Sequence, residues 1–243
     1  MQTYNFEDNP WFASLPPSQA RALLDASHTV KLAAGKELFR QGDLVGPVSA
    51  AFFGVATGTL KLSILHSDGK EGILALVEPG NWIGEVALLD NTMCRAHTAV
   101  ALEDSEVQVV NADAFGALMT HADFAAGIAR LVAGRLRMAY ETLAGQVLQT
   151  VRERVARRLV MLAHGGITQA ASGRMNIAAS QDTLAMMLGV SRPTLSKELQ
   201  ALAREGALSL RYGRIEILDM QRLRDAGRSA LPDMILPDAP LAA

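Results

Sequence analysis

The stretch from Ser180 to Gly206 carries the densest set of helix start and stop signals in the chain, and it restricts the fold more than any other segment. Ser180 can cap a first helix, and Gly189 allows the backbone to turn sharply at its end. Ser191 can then cap a second helix, with Pro193 in the first helical turn and Gly206 at the stop. We therefore predict two helices joined by a tight turn.

The second of these helices has two unlike faces. At about 100° per residue, one face is apolar and carries Leu195, Leu199 and Leu202. The opposite face is short, polar and cationic, and it carries Pro193, Ser196, Lys197 and Gln200. A helix that enters the major groove of DNA needs such a face, because bulk would block its approach to the base edges. Any amphipathic helix shows a similar division, but the caps and the glycine turn favour a DNA-reading helix-turn-helix.

Two short alternating apolar runs follow, at residues 207–210 and 215–218. They flank a turn that holds Arg211 and Arg214, and this pattern predicts a β-hairpin. Two arginines at its tip suit contact with DNA phosphates. We interpret the hairpin as the wing of a winged helix-turn-helix domain.

Between about residues 30 and 110, short apolar segments alternate with turn signals. Examples of these signals are Gln41-Gly42-Asp43, Ser67-Asp68-Gly69 and Glu78-Pro79-Gly80. Many short strands at near-regular spacing predict an antiparallel barrel or sandwich. A short helix over residues 18–26 is expected ahead of them, after the Pro16-Pro17 break.

A long helical segment follows the strands. Its apolar residues recur in steps of three or four, at Phe124, Ile128, Val132, Leu136, Tyr140, Leu143 and Val147. A helix over residues 124–148 would span roughly 35 Å at about 1.5 Å per residue, more than one barrel needs to cover it. The surplus favours pairing with a second copy of the helix, and packing on the chain's own barrel stays open as the alternative.

The remaining segments are a helix, a loop and a tail. Residues 151–162 predict a further helix, which is rich in arginine at Arg152, Arg154, Arg157 and Arg158. Residues 167–179 have the character of a loop and an edge strand. The proline-bearing tail at 229–243 is expected to be disordered.

Charge is distributed unevenly along the chain. Residues 1–115 hold seven Lys/Arg and fourteen Asp/Glu, whereas residues 116–243 hold sixteen and eleven. This asymmetry indicates that only the C-terminal part meets a polyanion, although simple solvation of two surfaces would give the same pattern. Cys94 is the one cysteine, and neither a signal peptide nor an apolar run of membrane-spanning length is present. We therefore expect a cytoplasmic protein without a membrane partner.

Glu85 and Arg95 flank a short apolar turn in the predicted barrel. A carboxylate and a guanidinium ten residues apart could hold a ligand hydroxyl and a ligand phosphate. A surface salt bridge would explain the pair equally well.

Taken in order, these features resemble the Crp/Fnr family from about Leu15 to Leu218. The glycines of the family's barrel turns have counterparts at Gly35, Gly42, Gly58, Gly69 and Gly72. Residues 80–89 match its phosphate-binding cassette, and residues 183–202 match its helix-turn-helix. The resemblance implies an α+β fold of four parts. They are a cyclic-nucleotide-binding-type β-roll or jelly-roll barrel at 1–117, a long dimerisation helix at 118–150, a winged helix-turn-helix at 151–228 and a disordered tail at 229–243.

The resemblance also implies roles for residues of the barrel. Glu85, with Gly84 beside it, takes the place of the carboxylate that holds the ribose hydroxyl of a cyclic nucleotide. Arg95 takes the place of the arginine on the cyclic phosphate. A cyclic nucleotide is thus the candidate effector, and the sequence makes no cofactor certain.

Two departures from the family pattern bear on that effector. Ala96 stands where cyclic AMP binders have Ser or Thr, and Ala139-Tyr140 stand where the type member has a Thr-Ser pair that meets adenine. The loss of three hydroxyl contacts, at about 1 kcal/mol each, disfavours cyclic AMP. Tyr140 could stack on a different base, fill an empty pocket or lie in the core of the dimer helix.

On the DNA side, the expected contact residues are Ser191, Arg192, Pro193, Ser196, Lys197, Gln200, Arg211 and Arg214. Arg192 and Lys197 align with family positions that contact base edges or phosphates, and Arg192 could make a bidentate contact with guanine. Pro193 replaces a glutamate that reads cytosine in the type member, so the operator should differ. We expect a pseudo-palindrome with half-sites about 34 Å apart, bound by a homodimer, with RNA polymerase as a further family-implied partner.

Other functions predict different features. A ligand-independent regulator with a vestigial pocket would share the whole architecture, and a barrel that only regulates a partner protein would not bind DNA. A cupin-type enzyme would need clustered metal ligands, and the five histidines form no His-x-His pair. Haem at His97 or His66 stays open, although a lone histidine is more often structural. We therefore expect a regulator and not an enzyme.

Overall fold

The computed structural model describes residues 6–45, 51–90, 94–165, 175–211 and 213–227. These residues fall into two compact units. The first contains the described residues up to Gly134 together with His164 and Gly165, and the second contains the other described residues from Arg135 onward. The expected disordered tail at 229–243 lies outside the described residues. Among the described helices, none combines the length and the hydropathy that a transmembrane segment requires.

The first unit is built on two four-stranded antiparallel sheets, as the turn spacing predicts. In the first sheet the order is β1 (His28–Leu32), β8 (Ser105–Asn111), β3 (Ala51–Thr57), β6 (Trp82–Ile83). In the second sheet it is β2 (Glu37–Phe39), β7 (Thr98–Ala101), β4 (Leu60–Leu65), β5 (Glu71–Val77). Every residue of β3 is buried, because this strand lies between two others and is covered on both faces.

Aromatic rings fill the core between the first sheet and the N-terminal helices. Trp82 is fully buried and stacks on Phe52, with ring centroids 5.0 Å apart, and on Phe12 at 6.3 Å. A side chain at Gly54 would meet the Trp82 ring at 2.7 Å, so only glycine lets the indole lie flat on β3. The packing of this aromatic cluster therefore depends on the absence of a side chain at Gly54.

The helices of the first unit are α1 (Pro10–Ala13), α2 (Pro17–Asp25), α3 (Glu85–Leu89) and α4 (Ala112–Met119), followed by the start of α5 (Ala122–Leu148). The prediction at 18–26 is confirmed within one residue at each end. Trp11 Nε1 donates a hydrogen bond to the Gly127 carbonyl at 2.8 Å, which attaches the first turns of α5 to α1.

The apolar stripe of α5 has two different environments. Phe124 and Ile128 are buried in the core of the first unit, as the own-barrel alternative predicts for this part. Further along the helix, Leu136, Tyr140, Leu143 and Val147 are 50%, 63%, 63% and 77% exposed. These four residues of the stripe are therefore not covered by the described part of the chain.

The second unit contains the rest of α5 with α6 (Val151–Ala163), α7 (Gln181–Leu188), α8 (Arg192–Arg204) and α9 (Met220–Gly227). Its sheet has the order β10 (Leu208–Arg211), β11 (Arg214–Ile217), β9 (Asn176–Ile177), so β9 is the edge strand predicted in that segment. Residues 166–174, where the loop was expected, lie outside the described part of the chain. The helices α7 and α8, together with the β10–β11 hairpin, confirm the predicted winged helix-turn-helix.

Candidate nucleic-acid interface and ligand pocket

The helix-turn-helix is fixed by the local signals that the sequence displays. Ser180 Oγ accepts a hydrogen bond from the Thr183 amide at 3.0 Å, and Ser191 Oγ accepts one from the Thr194 amide at 3.3 Å. Each serine therefore satisfies an amide at the N-terminus of its helix. Gly189 ends α7 at φ +63°, a left-handed conformation that favours glycine.

The apolar face of α8 is fully buried. Leu195, Leu199 and Leu202 have no exposed surface and anchor the helix to its unit. Burying a leucine side chain stabilises a fold by roughly 1.5–3 kcal/mol, so these three contacts hold the orientation of α8 firmly. The opposite face of the helix is therefore held toward solvent.

That opposite face carries the predicted contact residues. Ser191, Arg192, Pro193, Lys197 and Gln200 are exposed, and Ser196 is half-buried. Gln200 Nε2 donates to Ser196 Oγ at 3.5 Å. The structure thus leaves these six residues, which extend from the N-cap of α8 to its third turn, at least partly open to solvent.

A carboxylate that the sequence analysis did not single out faces this side. Asp182 Oδ1, on α7, lies 3.5 Å from Arg192 Nε. Both side chains are well exposed, so water screens the pair. No sequence signal identifies this contact, because it depends on the crossing of two helices.

The wing brings Arg211 and Arg214 directly opposite each other at the end of the β10–β11 hairpin. Both are exposed, and Arg211 Nε lies 3.6 Å from Glu216 Oε2. Tyr212, which was expected in this turn, lies outside the described residues. The hairpin therefore presents two guanidinium groups at its tip.

In the first unit, Gly84 and Glu85 form the start of α3. Gly84 is the N-cap at φ +105°, and a side chain there would meet the Ala51 carbonyl oxygen at 2.4 Å. Glycine is required both by the backbone conformation and by this close approach. It lets the chain turn so that Glu85, the first helical residue, is buried at 3% exposure.

Arg95 is also buried, at 5% exposure. Its guanidinium lies 4.4 Å from the ring centroid of Phe39 and 5.4 Å from that of Phe53. Burial lowers the pKa of Arg95, and the negative charge of Asp43 partly opposes that change. A surface salt bridge therefore does not describe Glu85 and Arg95, because neither side chain is on the surface.

His97 lies two residues after Arg95, and the sequence suggested it only as an open alternative for a haem ligand. It is half-buried, and burial lowers the pKa of its imidazole while the nearby charge of Glu85 raises it. His97 thus lies in the electrostatic surroundings of Glu85. His66, the other histidine considered, is exposed, and its Nδ1 lies 2.9 Å from Asp68 Oδ1.

The other two predicted pocket residues lie on exposed positions. Ala96 is exposed beside Arg95, and Tyr140 is 63% exposed on α5. Tyr140 belongs to the second unit, whereas Glu85 and Arg95 belong to the first.

Comparisons with known proteins match both units. Residues 29–122 match the model of the cyclic nucleotide-binding domain, and residues 153–226 match that of the Crp-like helix-turn-helix domain. A cyclic AMP receptor protein of Thermus thermophilus is 34% identical over 218 residues, which cover 89% of this chain and 96% of that protein. A CRP-like cAMP-activated global transcriptional regulator of Mycobacterium tuberculosis is 27% identical, with 89% and 96% covered.

Solved structures agree with these relatives. A CRP/FNR-family transcriptional regulator of Thermus thermophilus superposes with a TM-score of 0.67 at 27% identity, covering 83% of this chain and 99% of that one. The catabolite activator protein of Thermus thermophilus gives 0.51 at 33% identity, with 90% and 98% covered. The chain therefore belongs to the Crp/Fnr family of DNA-binding transcription regulators, with a cyclic nucleotide-binding domain followed by a Crp-like helix-turn-helix.

Proposed function

We propose that the protein acts as a homodimer that binds a pseudo-palindromic operator through α8 and the wing. The observation that carries this proposal is the exposed face of α8, held outward by three buried leucines. A two-fold dimer presents two such helices, and successive turns of one DNA face lie about 34 Å apart. The half-sites should have the same spacing.

Each part of the interface has its own role in this proposal. Arg192 reads a guanine by bidentate hydrogen bonds, and Lys197 contacts a phosphate as a compact positive charge. Ser191, Ser196 and Gln200 supply short polar contacts, and Pro193 leaves room at the groove floor. Arg211 and Arg214 hold the wing on the phosphate backbone.

The dimer forms along the exposed half of the α5 stripe. Leu136, Tyr140, Leu143 and Val147 follow one another in steps of four, three and four, so they share one side of the helix. An apolar stripe of this length gains free energy when a second copy removes it from water. Tyr140 then lies at the helix-helix contact.

The effector that fits the barrel best is a cyclic nucleotide. Glu85 offers a carboxylate to a ribose hydroxyl, and Arg95 offers a guanidinium to the cyclic phosphate. Gly84 sets the position of Glu85. Ala96 has no hydroxyl for the phosphate, so the complex with cyclic AMP should be weaker than in a protein with Ser or Thr at that position.

Because Ala96 offers no hydroxyl to a cyclic phosphate, it also supports a second candidate function, a ligand-independent regulator of identical architecture. In that case the operator is bound without any nucleotide. Under either function the protein acts on chromosomal DNA in the cytoplasm, with RNA polymerase as the partner through which binding alters transcription.

Operator selection from a random duplex pool distinguishes the two functions. The selection is run at one fixed salt concentration with cyclic AMP, cyclic GMP or no nucleotide, since the affinity of DNA-binding proteins depends steeply on salt. Enrichment of a palindrome with only one nucleotide identifies the effector. Equal enrichment without nucleotide supports the ligand-independent function, and a pool that stays random under all three conditions contradicts the DNA-binding proposal.

A further inference from the structure

A cavity of about 30 Å³ lies in the second unit, between the C-terminal part of α5, the helix α6 and the end of α7. It is partly open to solvent. A water molecule needs roughly 10–15 Å³ by this measure, so the cavity has room for a small polar group that enters from outside. It is separate from the barrel pocket, all of whose charged residues belong to the first unit.

The cavity is lined by three guanidinium groups and one carboxylate. Arg157 Nη2 lies 3.4 Å from Glu141 Oε2, so one cation is paired. Among the described residues, Arg154 Nη1 contacts uncharged acceptors, the side-chain oxygen of Gln146 and, at 3.4 Å, the Leu188 carbonyl. The lining therefore carries an excess of positive charge.

Arg158 is the cation with the least compensation. Within the described part of the chain, its guanidinium makes neither an ion pair nor a hydrogen bond. Burial lowers its pKa, as expected for a cation that is partly removed from water without a counter-charge. Such a group gains free energy from an anion placed beside it.

A buried amide faces the same cavity. Gln149 is only 8% exposed, and its Nε2 has no acceptor among the described residues. The Nε of Arg154 is likewise buried without an acceptor there. Unsatisfied buried donors are costly, so these two atoms favour an acceptor that the described residues do not supply. The buried Oε1 of Glu141 in the same lining has no hydrogen-bond donor among the described residues, and its negative charge opposes an anion.

We propose that this cavity binds a phosphate group, either as the free ion or as the exposed end of a larger phosphate ester. A tetrahedral oxyanion offers several acceptor atoms to guanidinium and amide donors at once, which a single water cannot do. The bound phosphate contacts α5, α6 and the end of α7, so it stiffens the connection between the dimer helix and the helix-turn-helix.

The test uses the full-length protein and the variant Arg158→Met, with Arg152→Met as the matched control. Arg152 is on the same helix and carries the same charge, but it contacts Glu205 and does not line the cavity. Inorganic phosphate and glycerol 3-phosphate are titrated by calorimetry at constant ionic strength, with chloride as the balancing anion. We expect saturable binding of one phosphate per chain, weakened about ten-fold or more by Arg158→Met and unchanged by Arg152→Met.

Thermal unfolding separates lost binding from lost folding. Without phosphate, Arg158→Met should melt at the same temperature as the parent protein or higher, because a partly buried unpaired cation has been removed. Phosphate should raise the melting temperature of the parent and of Arg152→Met, but not that of Arg158→Met.

Tighter binding of glycerol 3-phosphate would identify a phosphate ester as the ligand, and equal binding would identify the free ion. The proposal is wrong if neither compound binds beyond the effect of chloride, or if Arg158→Met binds as the parent does. It is also wrong if Arg158→Met weakens self-association while phosphate does not bind, since the arginines would then contact the second copy. None of these binding results depends on an operator, so they are independent of the DNA-binding proposal.

Discussion

Arg192 and Asp182 face each other across the turn between α7 and α8, with Nε and Oδ1 separated by 3.5 Å. In the free protein the carboxylate holds the guanidinium near the start of the recognition helix. In the proposed complex with DNA it would be a negative charge close to the phosphate backbone. We therefore expect Asp182 to repel DNA phosphates, whereas its water-screened ion pair with Arg192 contributes little.

The first prediction concerns this carboxylate. Asp182→Asn should bind the selected operator several-fold more tightly at low salt, because a charge that repels phosphate is removed. The gain should fade as salt screens the interaction. Fluorescence anisotropy over a salt series measures it, with Asp225→Asn on α9 as a control of equal charge change. A variant that binds more weakly would show that ordering of Arg192 is the larger effect.

Arg192→Ala and Lys197→Ala should weaken DNA binding in different ways, the first for a particular sequence and the second for every duplex. Loss of a bidentate base contact should cost about 1–3 kcal/mol on the operator and reduce discrimination at one base pair. Loss of a phosphate contact should weaken all duplexes alike and reduce the slope of log affinity against log salt by about 1. Binding of operator and scrambled duplexes by each variant is the measurement. Unchanged operator affinity in the double variant would exclude α8 from the interface.

The helix-turn-helix was predictable because its determinants are local. Ser180, Gly189 and Ser191 act on residues within a few positions of themselves, so the sequence displays the whole arrangement. The burial of Arg95 was not predictable in the same way. It depends on Phe39 and Phe53, which reach Arg95 only through the pairing of strands distant in sequence.

The sequence also could not predict which part of the apolar stripe of α5 is buried and which part is exposed. Phe124 and Leu143 belong to one helical pattern, yet one is buried in the chain's own core and the other is exposed. Periodicity states which residues share a side of a helix, and it does not state what covers them. The N-terminal helices cover the first turns of α5.

Leu143→Glu should disrupt the proposed dimer. A carboxylate placed in a helix-helix contact loses hydration without gaining a partner, so we expect the dimer dissociation constant to rise by roughly 100-fold. Sedimentation velocity over a concentration series measures this change. Leu218→Glu, at an exposed position beyond β11, is the matched control and should sediment as the parent does. A dimer that persists in Leu143→Glu would place the contact elsewhere.

His97 should make stability depend on pH. Burial lowers its pKa below the ordinary value of 6.5, so the unfolded chain binds a proton more readily than the folded one. The free energy of unfolding should therefore fall as pH decreases through about 6.5 toward the lower pKa of the folded state. The difference between parent and His97→Gln melting temperatures from pH 5 to 8 isolates this effect from the carboxylates. Parallel curves would contradict it.

Gly54→Ala should destabilise the first unit by about 1–3 kcal/mol. The added methyl would meet the Trp82 ring at 2.7–2.9 Å, and the indole has other rings behind it. Gly72→Ala on β5 is the control, because a methyl there meets nothing within 4 Å. Urea unfolding followed by tryptophan fluorescence gives both values. Equal free energies of unfolding for the two variants would show that the aromatic cluster can shift to accommodate the added methyl group at little cost.

Arg211 and Arg214 lie opposite each other on the wing, so we expect salt to act in opposite directions on the free hairpin and on its proposed complex with DNA. Like charges across a strand pair repel, and among the described residues only Arg211 of the two has an acidic partner, Glu216. Added salt screens that repulsion and steadies the tip, while the same salt competes with the arginines for phosphate. In the proposed complex, DNA phosphates would supply a counter-charge for Arg214, which has no acidic partner among the described residues, and a second one for Arg211, which is paired with Glu216.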